Sequence, residues 1–393
     1  MHIQLPSIMN TTHAKNNSLL VNGLLLLLAI GLLIPGCQTA NVETSAADEE
    51  NADTALIDKK GIAQGDTSEM RIAFSISFIK ESSFRKTMVE SFEKTAAAAQ
   101  QQGLIKDFTV LDADQSIETQ IQHIESLIEE DYDAITILPG SATELNDVVK
   151  TACEAGIVVV DFNAEVTEPC SHTVGMLWEQ YGAVQGSYLG NRLDQGNLLE
   201  VRGAPGNTSD TDISASIHAS LANFPQLKVV EAVQGNWLQA IAQSAVEEAL
   251  PTLPEIAAVV TQGGDGYGTA LAFAASDRPM PIIIMGNRYE ELKWWQEQRE
   301  ANGYQTVSAS ATPSISSVAF WVAQQLLAGK EDMPKYLGMP ILVIDDKTLD
   351  PWLAITSEGE VATPDYTQEW TVKLIDAQNL DAPLPLPPLP EGL

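Results

Sequence analysis

A recurring alternation of strand-like and helix-like segments constrains the fold of this chain more than any other feature. From Met70 onward, short apolar runs precede longer amphipathic stretches that end at Gly or Pro. Runs such as IVVVDF and PIIIMG are apolar on both faces, as strands buried inside a parallel sheet must be. This alternation predicts an α/β fold with parallel sheets and helices on both faces.

The predicted strands are too many for one comfortable sheet, so we expect two doubly wound parallel-sheet lobes joined by a multi-strand hinge. The strands are Arg71–Phe78, Phe108–Asp112, Ala134–Leu138, Ile157–Phe162, Thr173–Met176, Asn197–Arg202, Lys228–Val233, Ala257–Thr261, Ile282–Met285 and Thr306–Ser310. The helices are Ser83–Gln102, Ile117–Glu129, Thr143–Ala155, Tyr181–Leu193, Asp212–Asn223, Ala240–Leu250, Tyr267–Ser276, Tyr289–Glu300 and Ser314–Ala328. Ser116 and Ser141 occupy N-cap positions, and Gly103, Gly156 and Gly329 follow helix ends.

The N-terminal residues predict export. Residues 1–18 contain one lysine, Lys15, and no acid, and the apolar run Leu19–Ile34 is too short to span a bilayer. The run ends in IPGC, which resembles a bacterial lipobox, so we expect a signal peptide over 1–36 and a lipid on Cys37. The alternative is a plain signal peptide that is cut near Ala40.

Charge excludes two classes of partner. The chain has 21 basic and 53 acidic residues, a net charge of −32. Nucleic acids and anionic membrane surfaces bind clustered Lys and Arg, and the sequence contains no such cluster. Residues 37–69 are acidic and almost free of large apolar side chains, which predicts a flexible tether.

Two further cysteines, Cys153 and Cys170, remain in the body of the chain. In an oxidising compartment an isolated pair favours a disulfide over a metal site, which would need more Cys or His nearby. Two buried free thiols are the alternative. No calcium-binding loop of the EF-hand type occurs, and we expect neither a metal nor a cofactor.

Polar and aromatic residues concentrate directly after the predicted strands, where ligands bind in parallel α/β sheets. Carboxylates and amides exchange hydrogen bonds with hydroxyls, while aromatic faces cover apolar C–H patches. This mixture predicts a site for a small neutral sugar or polyol. Its candidate residues are Ser77, Glu81, Ser83, Phe84, Asp161, Phe162, Asn163, Trp178, Asp212, Trp237, Gly264, Asp265, Asn287, Arg288 and Ser310.

Individual candidates also have structural alternatives. Asp161 is suited to capping a turn, Trp178 and Trp237 to packing in a core, and Asp265 to the N-cap of a helix. The prediction depends on their shared position at strand ends. Signatures of enzymes are missing from the sequence: GxSxG, HExxH, the phosphate-binding GK[ST] and the dinucleotide GxGxxG do not occur.

From about Met70 to Ile344 the chain resembles periplasmic sugar-binding proteins of the ribose-binding type, the substrate-binding components of ABC transporters. The segments that carry the resemblance are IAFSISFIKESSF, DYDAITILPGSA, AGIVVVDFNAE, VRGAPGNTSD, VVTQGGDGYGTALA and PIIIMGN. Each is weak alone, but their order and spacing are specific. The resemblance implies sugar contacts at Ser77, Glu81, Ser83, Phe84, Asp161, Phe162 or Asn163, Trp237, Gly263 or Gly264, Arg288 and Ser310.

Four positions depart from the ribose-binding pattern. Ser83 replaces an aromatic residue, Phe162 and Ile213 replace arginines, and Arg288 replaces an aspartate, leaving Asp212 as the polar group nearest to Ile213. The resemblance therefore implies the sugar class and not ribose itself.

The resemblance also implies the domain organisation and mechanism. Lobe one would comprise 70–175 plus 311–335, lobe two 176–310 plus 336–350, with three hinge crossings between them. A monomer would close on its ligand and present it to a membrane permease. Residues 351–393 form an extension whose end, Leu384–Pro390, is too rich in proline for helix or sheet. This end either packs along the body as an extended segment, hangs free or docks onto a partner.

Two alternative functions remain. A sugar-sensing module that feeds a chemoreceptor or kinase would use the same fold and closure. A carbohydrate hydrolase needs two carboxylates that flank one glycosidic bond, and only Glu81 and Asp161 approach that arrangement.

Overall fold

Two parallel sheets organise residues 61–80 and 82–390, the part of the chain that this computed structural model describes. The described residues form twelve strands: β1 (Arg71–Ile76), β2 (Asp107–Asp112), β3 (Ala134–Leu138), β4 (Val158–Phe162), β5 (His172–Met176), β6 (Gly196–Arg202), β7 (Leu227–Gln234), β8 (Ala258–Thr261), β9 (Ile282–Ile283), β10 (Ser308–Ser310), β11 (Tyr336–Met339) and β12 (Leu342–Ile344).

The same residues form eleven α-helices, which cover the faces of the sheets. They are α1 (Ser83–Gln101), α2 (Ile117–Glu129), α3 (Asn146–Glu154), α4 (Trp178–Gly190), α5 (Thr208–Leu221), α6 (Gln239–Ala249), α7 (Gly266–Ala274), α8 (Tyr289–Asn302), α9 (Ile315–Leu327), α10 (Leu349–Ile355) and α11 (Gln368–Asn379).

The first sheet has six strands in the order β11-β5-β4-β3-β1-β2, and its paired strands are parallel. The second has the order β7-β6-β8-β9, again parallel. A parallel bridge from Met285 to Ser308 links it to the antiparallel pair β10-β12. The predicted α/β class is therefore confirmed.

Local chemistry sets the helix ends much as expected. The Ser116 side chain accepts a hydrogen bond from the Thr119 amide at the start of α2. Gly103, Gly156 and Gly329 have φ of 72°, 86° and 91° after helix ends, a conformation that favours glycine. Helix α3 begins at Asn146 rather than at Thr143, because residues 142–145 form a turn.

The lobe boundary differs from the expected one. β11 pairs with β5, so Tyr336–Met339 extends the first sheet, although we expected 336–350 in lobe two. The second sheet resumes only at β12, which pairs with β10. The chain thus passes between the sheets at Leu177, at Ala311 and across residues 340–341. Helix α9 returns to lobe one, where it packs on α1, β3 and β4.

The end of the expected tether is part of the body. Residues 61–69 pack against lobe one: the Gly65 amide donates to the Ala328 carbonyl at 3.1 Å, and the Ala63 amide donates to the Gln325 side chain at 2.8 Å. Thr67 is only 3% exposed. The signal peptide, Cys37 and the rest of the tether up to residue 60 lie outside the described residues.

Cys153 and Cys170, for which we expected a disulfide, are joined by one, with their Cα atoms 6.4 Å apart. The bridge links the end of α3 to the loop before β5. It therefore fastens the loop that follows β4. Two of the predicted site residues, Asp161 and Phe162, end this strand, and a third, Asn163, begins the loop.

The C-terminal extension folds back over both lobes. Helix α10 packs on α8 of lobe two, whereas α11 packs on α9 and β11 of lobe one. Trp352, Tyr366 and Trp370 are at most 9% exposed. The proline-rich end forms neither helix nor strand, and the indole N–H of Trp370 donates to the Leu386 carbonyl at 2.9 Å.

Candidate functional site

In lobe one, an arginine that the sequence analysis missed organises the end of β1. Arg85, in the first turn of α1, donates from Nη1 to the Ser77 hydroxyl at 2.7 Å and to the Phe78 carbonyl at 3.3 Å. Its guanidinium lies 3.6 Å from the centroid of the Phe78 ring. Burial lowers the pKa of Arg85 to about 10, while Asp112 acts in the opposite direction. Arg85 therefore stays charged at neutral pH at the edge of the predicted site.

The other residues predicted after β1 surround this arginine. Ser83 and Phe84 are half-buried at the start of α1. Ser82 caps the helix by accepting from the Arg85 amide at 3.3 Å, which fixes where these side chains emerge. A cavity of about 330 Å³ lies beside them, lined by residues that include Lys80, Ser82 and Ser83. Glu81 lies outside the described residues.

After β4, two predictions are corrected. Phe162 is fully buried and packs in the core, its ring centroid 5.2 Å from that of Phe74. Asp161 is also fully buried, and its carboxylate accepts from Ser171 Oγ at 2.5 Å and Thr173 Oγ1 at 3.0 Å. Successive strand residues face opposite sides, and here each side chain is already engaged by the protein: Asp161 by Ser171 and Thr173, and Phe162 by Phe74.

Asp161 instead organises the loop after β4. Its carboxylate also accepts from the Val166 amide at 3.3 Å. Burial raises the pKa of Asp161 to about 6, against the effect of the Ser171 and Thr173 hydroxyls. The turn-capping alternative thus describes Asp161 best. Asn163, half-buried with φ of 62°, remains the candidate on this loop.

In lobe two, a glycine-rich turn and an arginine pack closely. Gly264 has φ of 79°, and a Cβ on it would lie 2.8 Å from Cζ of Arg288, so a larger residue would displace the guanidinium. Arg288 Nη2 donates to the Trp237 carbonyl at 2.9 Å. The buried Glu291 carboxylate accepts from the amides of Gly266 and Gly286, at 2.9 and 2.8 Å. Glu291 thereby holds the two turns together, a role that the sequence did not suggest.

Asp265 lies beneath these turns and is fully buried. It occupies the N-cap position of α7, but its side chain does not cap that helix. Burial and the neighbouring Glu291 raise its pKa well above the ordinary range, and Arg288 partly offsets this. Among the described residues no donor meets either carboxylate oxygen at good hydrogen-bond geometry, although the backbone N–H groups of Trp237 and Leu238 are close enough to lower the pKa against the effect of burial. Asp265 is thus an acid that is favoured in its neutral form.

Trp237 projects from the loop after β7 in an uncommon backbone conformation, with φ of 57°. Its ring covers Gly203, where a Cβ would lie only 2.2 Å from the indole, so no larger side chain fits there. The side chain is half-buried rather than enclosed in the core. One part of the indole therefore remains available to a ligand.

Two buried hydroxyls lie together at the end of β10. A Cβ on Gly263 would lie 2.9 Å from the Tyr181 hydroxyl and 3.6 Å from the Ser310 hydroxyl. Both side chains are at most 2% exposed, and among the described residues neither hydroxyl has a partner apart from the weak contact between the two, through which Ser310 lowers the pKa of Tyr181 against the effect of burial. Buried polar groups normally have partners, so this pair is suited to the hydroxyls of a bound molecule. Tyr181 was missed because its position in α4 resembles an ordinary core aromatic.

Three remaining predictions have different outcomes. Trp178 lies half-buried at the start of α4, 6.3 Å from Tyr181 between ring centroids. Asp212 is exposed on α5. Asn287 is corrected: its side-chain amide donates to the carbonyls of Ala311 and Ala362, at 3.2 and 2.8 Å, and is therefore committed to the protein.

The described residues contain neither a membrane-spanning helix nor a cluster of metal ligands. In 61–80 and 82–390 no helix combines the length and apolarity required to cross a bilayer. Over the same ranges, no group of three or more His, Cys, Asp or Glu side chains is placed to hold a metal ion.

Curated relatives share the sequence in part. The chain is 28% identical to the xylitol-binding protein of Mycolicibacterium smegmatis over 176 residues. This aligned segment covers 44% of this chain and 50% of that protein. It is 26% identical over 201 residues to the D-apiose import binding protein of Paraburkholderia graminis, 49% of this chain and 63% of that one. The chain thus spans between half and two-thirds of these relatives.

Solved structures share the fold more completely. An ABC transporter solute-binding protein from Thermobispora bispora has a TM-score of 0.72 and 32% identity, over 82% of this chain and 99% of that one. The arabinose-binding component from Shewanella, bound to L-arabinofuranose, has a TM-score of 0.62 and 21% identity, over 72% and 95% of the two chains; at that identity the likeness concerns the fold alone.

The profile of the periplasmic binding protein domain matches residues 72–331. This is more than half of the 393 residues, and it includes nearly all of both sheets. The resemblance read from the sequence is therefore confirmed, and the chain belongs to the periplasmic binding protein domain family, whose members are solute-binding proteins.

Proposed function

We propose that this protein is the extracytoplasmic solute-binding component of an ABC importer and captures a small neutral sugar or polyol between its two lobes. The observation that carries the proposal is the set of polar and aromatic side chains that lie near the carboxyl ends of strands in both lobes. Arg85 and Asn163 lie on one lobe, and Trp237, Tyr181 and Ser310 on the other. Relatives named for xylitol and for D-apiose support the ligand class.

The chemistry of these groups suits hydroxyls better than a formal charge. The Tyr181 and Ser310 hydroxyls lie close to each other and have no other partner among the described residues, so the pair can still exchange hydrogen bonds with a ligand hydroxyl. In lobe two Arg288 lies beside the buried Glu291 carboxyl, whose pKa is raised by burial and lowered in part by the arginine. Trp237 supplies an aromatic face for C–H groups.

Closure of the lobes would complete the site. Contacts from both lobes exist together only when the cleft is shut, so ligand binding would shift the population toward the closed form. A permease would recognise that form. In this proposal nothing is chemically transformed: Asp161, one of the two carboxylates that a hydrolase would need, is buried and bonded to Ser171 and Thr173.

Export and anchoring belong to the same proposal. The proposal includes a signal peptide, lipidation at Cys37 and a monomeric state; the apolar run Leu19–Ile34 and the IPGC segment that ends it support the first two. A lipid anchor would hold the binding protein near its permease.

A thermal-shift screen tests the proposal. Pentoses, hexoses, pentitols and nucleosides are added to the purified chain, and at least one sugar or polyol is expected to raise the Tm, by an amount that grows with the logarithm of its concentration above Kd. Trp237→Ala should weaken binding of that ligand by about 1–2 kcal/mol, since it removes the stacking face.

Trp294→Phe is the matched control, because Trp294 is a buried tryptophan that packs on Tyr304 away from the strand ends. It should lower the Tm without changing the affinity. A chain that no sugar or polyol stabilises would contradict the function. Equal affinities for Trp237→Ala and the wild type would instead remove Trp237 from the site.

A further inference from the structure

The C-terminal extension crosses between the lobes beside the predicted site. On lobe two, the Ala362 amide donates to the Asn287 carbonyl at 2.8 Å, and the Tyr289 amide donates to the Glu360 carbonyl at 3.0 Å. Val361 also forms an antiparallel bridge with Arg288. Residues 359–362 therefore lie along the turn that carries Arg288.

The next residues are fixed to lobe one. The Thr363 hydroxyl accepts from the Ser314 amide at 3.1 Å and lies 2.6 Å from the Ser314 hydroxyl. The Trp321 indole donates to the Tyr366 carbonyl at 3.1 Å. Ser314 and Trp321 belong to α9 and its N-cap, and Ser316 of α9 donates to the Met88 carbonyl of α1 at 2.7 Å. This half of the segment is thus attached to lobe one.

The two attachments leave no spare chain between them. Ala362 is bonded to lobe two and the adjacent Thr363 to lobe one, so only about 3.8 Å of chain joins the anchors. Asn287 adds a second link, because its side chain also donates to the carbonyl of Ala311, where the chain passes from β10 to α9.

We propose that residues 359–366, the strap, form a fourth connection between the lobes that limits the opening of the cleft and positions Arg288. The strap lies beyond the 72–331 range of the family profile, so it is a feature of the extension of this chain. The part of the inference that concerns affinity depends on the proposed function, whereas the limit on opening does not.

The limit on opening has a direct physical cause. Lobe separation beyond the reach of one peptide unit must break either the Ala362 and Asn287 bonds or the Thr363 and Ser314 bonds. A wide-open form is therefore disfavoured before any ligand binds. The apparent affinity decreases when fewer molecules are in a form that can close on the ligand. Because the strap disfavours the wide-open form, it keeps this fraction high and should increase affinity.

The test measures lobe separation in the ligand-free full chain. Spin labels are placed at Glu118→Cys at the start of α2 and Ala240→Cys at the start of α6, both exposed and at the carboxyl edges of the two sheets. Cys37→Ser removes the remaining thiol outside the disulfide. Asn287→Ala removes the side-chain bonds of the anchor on lobe two, to Ala362 and Ala311, and Thr363→Val removes the side-chain bonds of the anchor on lobe one, to Ser314; each weakens its anchor while the backbone bonds remain.

Thr356→Val is the control, because its hydroxyl donates to the Trp352 carbonyl within α10 and bridges no lobes. It removes a buried hydroxyl of the same kind from the same extension. Asn287→Ala and Thr363→Val are expected to add a population at longer label distances and to weaken ligand binding about 3- to 10-fold. Thr356→Val should change neither quantity.

Identical distance distributions in the labelled parent and in all three variants would contradict the limit on opening, whatever ligand binds. Longer distances with unchanged affinity would retain the limit on opening and overturn the positioning of Arg288. A chain that binds no sugar or polyol but responds as expected in distance would contradict the proposed function alone.

Discussion

Arg85→Met is expected to weaken ligand binding by roughly 1.5–3 kcal/mol, about 10- to 150-fold, because hydrogen bonds from a charged donor are stronger than neutral ones. Arg85 is half-buried against Phe78, and its Nη1 is bonded to Ser77 and to the Phe78 carbonyl. The Nε and Nη2 donors have no hydrogen-bond partner within residues 61–80 and 82–390. A ligand hydroxyl is the partner that we propose. Isothermal titration with the ligand found in the screen measures the loss.

Lys86→Met is the matched control. Lys86 follows Arg85 directly, is exposed, and pairs with Glu90 on the surface of α1 at 3.5 Å. Its replacement removes the same charge from the same turn and should change affinity by less than about 0.5 kcal/mol. Equal losses in both variants would mean that Arg85 acts only through the general field of the protein. In Arg85→Met the methionine keeps most of the buried aliphatic volume but loses the bonds to Ser77 and Phe78, so the Tm without ligand should fall moderately in a chain that remains folded.

Strand and helix positions followed from the sequence because each depends on local patterns. β3 matches its predicted bounds, and α2 begins and ends where predicted. β11 and β12 were missed because they form one short apolar stretch interrupted by Pro340. Nothing local indicates that the first half pairs with β5 and the second with β10, since that choice is made by tertiary contacts.

The position of the site was predictable, but the direction of individual side chains was not. Asp161 and Phe162 were both placed at the end of β4, yet one faces the Ser171 loop and the other faces Phe74. Arg85 folds back from α1 onto β1, and Asn287 bonds to Ala362, which is 75 residues further along the chain. Such choices depend on which surfaces meet, and a single sequence records that only weakly.

Asp161 makes folding stability depend on pH in a direction opposite to most carboxylates. Its pKa is about 6 in the folded chain, whereas an exposed aspartate has a pKa near 4. Between these values the folded form binds the proton more tightly than the unfolded form. The contribution of Asp161 to the free energy of unfolding is therefore largest below about pH 4 and falls by about 3 kcal/mol as pH rises to 7.5.

Asp161→Asn isolates this contribution, because asparagine does not titrate. We expect the free energy of unfolding of the variant, relative to wild type, to improve by about 2.5 kcal/mol between pH 4 and pH 7.5. Urea unfolding at several pH values measures the difference, in which the other titrating groups cancel. Asp147→Asn, an exposed change of the same charge at the start of α3, is the matched control.

The same variant separates the two interpretations of Asp161. If the carboxylate only holds the loop through Ser171 and Thr173, asparagine keeps most of that geometry and ligand affinity at pH 7.5 stays within about threefold of wild type. A large loss of affinity in a fully folded variant would return Asp161 to the binding site. A difference in stability that does not change with pH would show that the carboxyl has an ordinary pKa, and the loop would then need another explanation for its order.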